Sequence, residues 1–378
     1  MHVSRLELTD FRNYERLEFN PGTGLNVLVG PNAQGKTNVL EALYALATTK
    51  SHRTSRDTEL VRFGAPLARV SAEVQKLGDI EYDLELAIGA GGIGTSGKLV
   101  KLGGSKQPRL TDLLGHLNAV LFASTDLDIV RGEPDERRRF LNYEISQLSP
   151  RYALALASYR KALEGRNRLL KDFKHGHGDV ASLEAWTVPV IEHGSKLIER
   201  RQAWLERLTA LAAPIHQSLT AGLETLEVVY QASFPLLSES VVDDFAAALK
   251  NARREETARG VTTLGPQRDD LTFRIGPPGG LLLDARTYGS QGQQRTVALA
   301  LRLAERQLIE ETVGEPPIVL LDDVLSDLDE SRRNQIFALS LTGGGQTFLT
   351  TTDLSPIPLD AVRNARVVTV RQGIFRDA

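Results

Sequence analysis

Gly30, Gly35, Lys36 and Thr37 stand at the spacing Gly, four residues, Gly, Lys, Ser/Thr, with Pro31, Asn32, Ala33 and Gln34 between the glycines. That set suits the phosphates of a nucleoside triphosphate. The glycines let successive backbone N–H groups turn inward on an anion, and a helix opening near Lys36 adds roughly half a positive charge of dipole at the same point. Lys36 would reach the β- and γ-phosphates, and Thr37 would hold Mg²⁺ through its hydroxyl. A second group fits the same chemistry: the apolar run Ile318-Val319-Leu320-Leu321 ends in Asp322 and Asp323. A carboxylate at the end of a strand can enter the Mg²⁺ shell, the role expected of Asp322. Asp323 is then placed to position or deprotonate an attacking water. The Gly-rich pattern alone arises by chance in only about 1% of chains this long, and the elements around it lower that further.

Those elements are legible. Residues 25–29 form a short apolar run of strand type, and 38–47 have helical spacing at Val39, Leu40, Leu43 and Leu46, so the loop sits between a strand and a helix. Strands at 3–8 and 16–19, split by a turn at 11–14, predict a small β-layer ahead of it. Strands at 68–74 and 82–88 follow, and the Gly-rich stretch 89–104 reads as a floppy hairpin tip. Of the residues after the first helix, His52 is expected on the surface, and Arg53 is the better candidate to face a nucleotide or a partner chain.

After a last short strand at 119–122, Pro134, Asp135 and Glu136 make a sound helix start. Arg137, Arg138 and Arg139 follow; charge alone favours a solvated helix face over an anion-contacting cluster. Residues 151–174 and 182–221 predict a helical hairpin, each arm at most about 60 Å long. Its tip carries His175 and His177 beside Gly176 and Gly178, a mobile turn rather than a metal site. A strand at 226–232, a helix at 242–259 and strands at 271–275 and 281–284 return the chain to β structure. The expected organisation is a divided ATPase lobe, 1–122 plus 262–378, with a helical insertion lobe at 123–261.

Composition narrows the class. Hydrophobic content of 41% and charged content of 25% suit a globular protein, and the absence of cysteine excludes disulfides, zinc–thiolate sites and thiol nucleophiles. No stretch approaches the roughly 20 apolar residues of a membrane span, and no signal core is visible, so a cytoplasmic location is expected. A net charge of −3 gives no global basic field. DNA binding would need a local basic patch and would weaken steeply with salt.

The stretch Tyr288-Gly289-Ser290-Gln291-Gly292-Gln293-Gln294-Arg295 precedes a helix expected at 296–310 and resembles the signature motif of the ABC ATPase superfamily, with Gln291 in place of its first Gly. The resemblance implies that Ser290 and Gly292 meet the γ-phosphate bound by an opposing subunit, so a complete site needs two chains. Ser326-Asp327-Leu328-Asp329 resembles the D-loop of that dimer seam. The superfamily usually has Glu where Asp323 stands, which implies slow hydrolysis here. Thr352 and Asp353 stand where transporter ATPases carry a switch histidine, and Gln75 is the candidate for the Q-loop glutamine.

Taken together, the chain resembles the RecF family of bacterial recombination mediators with SMC-like ATPase heads. The resemblance runs over nearly its whole length: Leu8-Thr9-Asp10-Phe11-Arg12-Asn13-Tyr14, the phosphate loop, Glu136-Arg137-Arg138-Arg139-Phe140-Leu141, Gly265-Pro266-Gln267-Arg268-Asp269-Asp270, the Ser290 motif, and Leu321 to Asp329. Family members often carry His in place of Gln267 and Asp in place of Asn142. It implies an α/β fold of ABC/SMC ATPase-head type, a phosphate-loop core with a β-layer and an inserted α-helical lobe. It further implies an ATP-dependent homodimer on duplex DNA or single-strand/duplex junctions at gaps, weak DNA-stimulated ATP hydrolysis used as a switch, and cooperation with RecR and RecO in loading RecA. A chromosome-organising head would need longer helical arms, and a transporter subunit would need the switch histidine and a membrane partner. An inactive ATP sensor would not need Lys36, Thr37, Asp322 and Asp323 together.

Overall fold

Apolar residues start the first layer: strand β1 (His2–Phe11) buries Val3, Leu6 and Leu8, which oppose Val74, Ala72 and Val70, and Phe11 at its end. The computed structural model describes residues 1–90, 97–325, 330–341 and 344–377. They form two units, Met1–Asp126 with Leu299–Ala378, and Leu127–Ala298. Strands β2 (Tyr14–Phe19), β3 (Leu25–Val29), β4 (Leu67–Lys76), β5 (Ile80–Gly89), β6 (Lys98–Leu102), β7 (Ser105–Lys106) and β8 (Ala119–Ala123) follow in the first unit, with helix α1 (Lys36–Thr48) after β3. One sheet is antiparallel, in the order β2-β1-β4-β5-β6-β7. The Gly-rich stretch expected to be a hairpin tip is therefore partly strand: Leu99 and Val100 pair with Ala87 and Leu86, because the ladder and the buried Val100 outweigh the local glycines. Residues 91–96 lie outside the described part.

The inserted unit contains α2 (Leu127–Arg131), α3 (Pro134–Leu148), α4 (Pro150–Lys174), α5 (Val180–Leu219), β9 (Thr225–Gln231), α6 (Val241–Arg259), β10 (Asp270–Gly276), β11 (Leu283–Asp284) and α7 (Ala285–Tyr288). Helices α4 and α5 pack as an antiparallel hairpin with α6 against both. Gly194 makes this possible, since a Cβ there would meet Phe245 at 2.6 Å and Tyr159 at 2.9 Å. The unit is not purely helical: β9, β10 and β11 form a three-stranded sheet in the order β11-β10-β9. Because Leu271 pairs with Tyr230 and Phe273 with Val228, the segment 262–298 groups with the helices, and the boundaries fall at 126/127 and 298/299 rather than 122/123 and 261/262.

Helix α8 (Gln291–Val313) starts five residues earlier than its apolar spacing predicts and spans the unit boundary. The chain then completes the first unit with β12 (Ile318–Asp322), α9 (Glu330–Leu341), β13 (Thr347–Thr351), α10 (Leu359–Arg363), β14 (Arg366–Arg371) and β15 (Ile374–Asp377). Its second sheet runs β15-β14-β3-β13-β12-β8, parallel throughout except for β15. Strands buried on both faces in a parallel sheet need continuous apolar runs, which is what Ile318 to Leu321 supply. Helix α1 packs against strands of both sheets, and Val39, Leu40, Leu43 and Leu46 are fully buried. Register brings Asp322 opposite Thr350, and Thr351 opposite Val29, so the ends of β3, β12 and β13 share one edge. Open parallel sheets bind ligands at that carboxyl edge. No described helix is long and apolar enough to cross a membrane.

Candidate functional site

The loop that leaves β3 is shaped by two close approaches. A Cβ on Gly30 would lie 2.3 Å from the Val370 carbonyl, and one on Gly35, at φ 107°, would lie 2.7 Å from both Asn13 and Tyr14. Only glycine fits either place. Ala33 between them takes a left-handed φ of 61°, so that the chain curls between Gly30 and the first turn of α1. Gln34 ties the loop to the β14–β15 turn, its side-chain oxygen accepting from the Gln372 N–H at 2.6 Å. The Lys36 ammonium donates to the Gly30 and Pro31 carbonyls. Burial lowers the pKa of Lys36, and the charges of Asp323 and Asp322 offset part of that.

Across the edge, the Thr37 hydroxyl donates to Asp322 Oδ1 at 2.7 Å, joining residues 285 apart in sequence. Thr350 donates to the same oxygen at 2.8 Å and accepts from the Asp323 N–H at 3.0 Å. Asp323 takes a left-handed φ of 52°, which turns the chain out of β12. A cavity of about 330 Å³ results, lined by Asn32, Ala33, Gln34, Gly35, Lys36 and Thr37 on one side and by Asp323 and Thr350 on the other. The donor set suits a triphosphate with a divalent cation: a lysine, backbone N–H groups at a helix start, a hydroxyl and carboxylates.

Asn13, Asn38 and Arg53 complete the cavity. From sequence Asn13 falls in a turn and in the family-like stretch Leu8 to Tyr14 without a place at the site, and Thr350 has no role. Thr350 lies in a strand with three threonines, Thr347, Thr350 and Thr351, a signal that register alone turns into a site. Arg53 donates to Asn38 Oδ1 at 2.8 Å and lies 3.4 Å from Glu41. Glu41 is buried and takes a two-pronged pair from Arg12 at 2.8 and 2.6 Å. Burial alone would raise the pKa of Glu41, but the Arg12 and Ser51 hydrogen bonds hold it below its ordinary value. His52 is not the surface residue expected. It is half-buried, edge-on to Tyr44, with both ring nitrogens shielded from solvent and unpartnered among the described residues. Burial lowers its pKa to about 4, against a partial pull upward from Glu41 and Asp322. Gln75 lies on β4 and does not line the cavity.

Ser290 and Gly292 belong to the inserted unit, at the exposed start of α8. Ser290 Oγ accepts from the Gln293 N–H at 3.2 Å, and the Gln293 side chain accepts from the Ser290 N–H at 2.8 Å, a reciprocal cap. In that cap the Ser290 hydroxyl acts as acceptor, not as donor. Among the described residues a Cβ on Gly292 would meet only Ser290 Oγ, at 3.9 Å, so none of them calls for glycine there. Ser326 to Asp329 lie outside the described residues. Two of the α3 arginines are not on a solvated face: Arg137 is 2% exposed and paired with both oxygens of Asp270, while Arg138 donates to the Asp269 carbonyl at 2.7 Å.

Residues 2–375 match the model of the RecF/RecN/SMC N terminal domain. A "DNA replication and repair protein RecF" of Bacillus cereus is 40% identical, covering 99% of this chain and 98% of its own, and one of Bacillus thuringiensis (strain Al Hakam) is similar to the same extent. Among solved structures, the recombination mediator protein RecF with ATP, of the RecFOR pathway, superposes with a TM-score of 0.88 at 30% identity, covering 100% of this chain and 97% of that one. The Smc head domain of Pyrococcus furiosus shares the fold, with a TM-score of 0.55 at 17% identity over 100% of this chain and 96% of that one. With its carboxyl-edge phosphate loop, its paired aspartates and the match along its full length, the chain belongs to the RecF family of DNA replication and repair proteins, within the RecF/RecN/SMC group.

Proposed function

We propose that this chain is an ATP-dependent, DNA-binding recombination mediator of the cytoplasm. The observation that carries the reading is the contact of Thr37 with Asp322 at 2.7 Å, beside Lys36 and Asp323 on one cavity. Lys36 exchanges its loop carbonyls for β- and γ-phosphate oxygens, Thr37 and Asp322 hold Mg²⁺, and Asp323 orients the attacking water. Gly30 to Thr37 wrap the phosphates. Bound Mg²⁺ supplies charge neutralisation on the phosphates. Ser290 and Gly292 of a second copy close over the γ-phosphate, so ATP and dimerisation strengthen each other reciprocally. Hydrolysis is a slow, DNA-stimulated switch that opens the clamp.

The dimer binds duplex DNA or single-strand/duplex junctions at gaps and works with RecR and RecO to load RecA. That the RecF structure similar to this one belongs to the RecFOR pathway supports these partners. Sedimentation with ATP and Mg²⁺, with and without a gapped duplex, at low and moderate salt, tests the reading. A monomer that dimerises with ATP and then binds the gapped duplex, less at higher salt, is expected. Dimerisation without DNA association would remove the mediator function and leave the ATPase.

A further inference from the structure

A second cavity, of about 260 Å³, lies wholly within the inserted unit between α3, α4 and α5 and is closed by Pro266 and Gln267. It joins two stretches that the ATP site leaves unused, the arginines of α3 and the Gly265 to Asp270 segment. Its lining is graded. Arg160 is exposed and Arg139 half-buried, whereas Arg201 and Tyr159 are buried. At the mouth Arg138 is paired with the exposed Asp135 and Arg139 with Glu136, while Arg160 has no hydrogen bond or ion pair among the described residues, so Arg160 is the guanidinium left for an anion.

Deeper in, Asn142 is held by its oxygen. Tyr152 donates to Oδ1 at 2.8 Å and Arg201 at 3.1 Å, and Arg201 is itself fixed by the Tyr152 hydroxyl and the Pro266 carbonyl. Asn142 lines the cavity, and its amide nitrogen has no partner among the described residues. Leu156, Leu163 and Tyr143 supply apolar and aromatic wall. Apolar wall, one oriented amide and guanidinium at the mouth are the parts that hold an unstacked nucleotide: base against the wall, base edge on the amide, phosphate on Arg160.

We propose that this pocket binds one phosphate-bearing nucleotide of a single DNA strand, at a place separate from the phosphate loop. It deepens the DNA-binding reading above and rests on it only for the strand. An acidic protein segment would use Arg160 but would leave the amide and the apolar wall without a partner.

The test uses the full chain saturated with ATP and Mg²⁺, so that the phosphate loop does not report. Labelled 5′-phosphorylated (dT)4 is titrated by fluorescence anisotropy, with dTMP and hexaglutamate as competitors, on the unaltered chain and on Arg160→Glu and Leu156→Trp. Both variants should weaken (dT)4 about tenfold or more, with ATP affinity and cooperative unfolding unchanged. Arg160→Glu should also lower the log–log salt slope by about 0.7 for each phosphate no longer neutralised. Equal (dT)4 affinity in all three chains overturns the pocket, even where gapped-duplex binding in the same preparations stands. Hexaglutamate displacing (dT)4 at lower concentration than unlabelled (dT)4 does overturns the nucleotide in favour of an acidic protein, and dTMP doing so overturns the strand in favour of free nucleotides. Variant-sensitive (dT)4 binding without any gapped-duplex binding keeps the pocket and removes the mediator reading.

Discussion

Asp322 and Asp323 are neighbours in sequence with different surroundings. Asp322 accepts from two hydroxyls, while Asp323 reaches the cavity at the turn out of β12. On the proposed roles, Lys36→Ala should abolish ATP binding, whereas Asp323→Asn should keep it and slow hydrolysis by about 10²–10⁴-fold; nucleotide binding and single-turnover hydrolysis, measured separately, distinguish them. Loss of binding in Asp323→Asn would contradict the division of roles. His52 allows a prediction about pH. Its folded pKa of about 4 lies below the ordinary 6.5, so the unfolded chain binds the extra proton between those values and stability falls on acidification through that window. The cost reaches about 2 kcal/mol by pH 5. Urea unfolding of His52→Gln at pH 7 and 5 should show a correspondingly flatter dependence. At this scale the spacing of Lys36 and Thr37 was legible because both follow Gly35 directly, at the start of α1. Thr350 was not, because its place beside Asp322 depends on which strands pair.

The elements that could be read locally are those whose signal is local. The 3.6-residue period of α1, α4 and α5 and the apolar run of β12 depend on no distant partner. Strand β6 and the pairing of β9 with β10 do: local pattern alone makes β6 part of a loop and assigns β9 and β10 to different lobes. The helical hairpin also hides a polar anchor that periodicity does not show. Arg166, 2% exposed, donates to Glu256 and Thr262 at 2.7 Å and to Thr187 at 3.0 Å, tying α4 to α5, to α6 and to the segment beyond. Removing one member of a buried pair strands the other charge, so Arg166→Ala should cost about 3–5 kcal/mol. Replacing Arg166 and Glu256 together with apolar residues should cost less than that single change. Equilibrium denaturation of the three chains decides it; equal losses would show that the pair is not coupled.

For the whole molecule, the reading turns on two copies meeting. Ser290→Arg places a bulky charge at the exposed start of α8, where the chain itself leaves room beside Gly292. ATP affinity of the monomer should stay within about threefold, since the phosphate loop is untouched, while ATP-driven dimerisation is lost in sedimentation. Normal dimerisation of that variant would remove the trans contact. The parallel sheet bears on a different matter, the order in which the protein becomes functional during its synthesis. Strands β3 and β8 are made early, yet between them in the sheet stand β13 and β12, which follow the inserted unit. At about 5–20 residues per second, a ribosome needs roughly 10–50 s to pass from Ala123 to Thr351. During that interval the antiparallel sheet has its strands, while the edge that carries Asp322 and Thr350 does not yet exist. Nucleotide binding is therefore among the last properties a nascent chain acquires, and chains released early cannot compete for ATP.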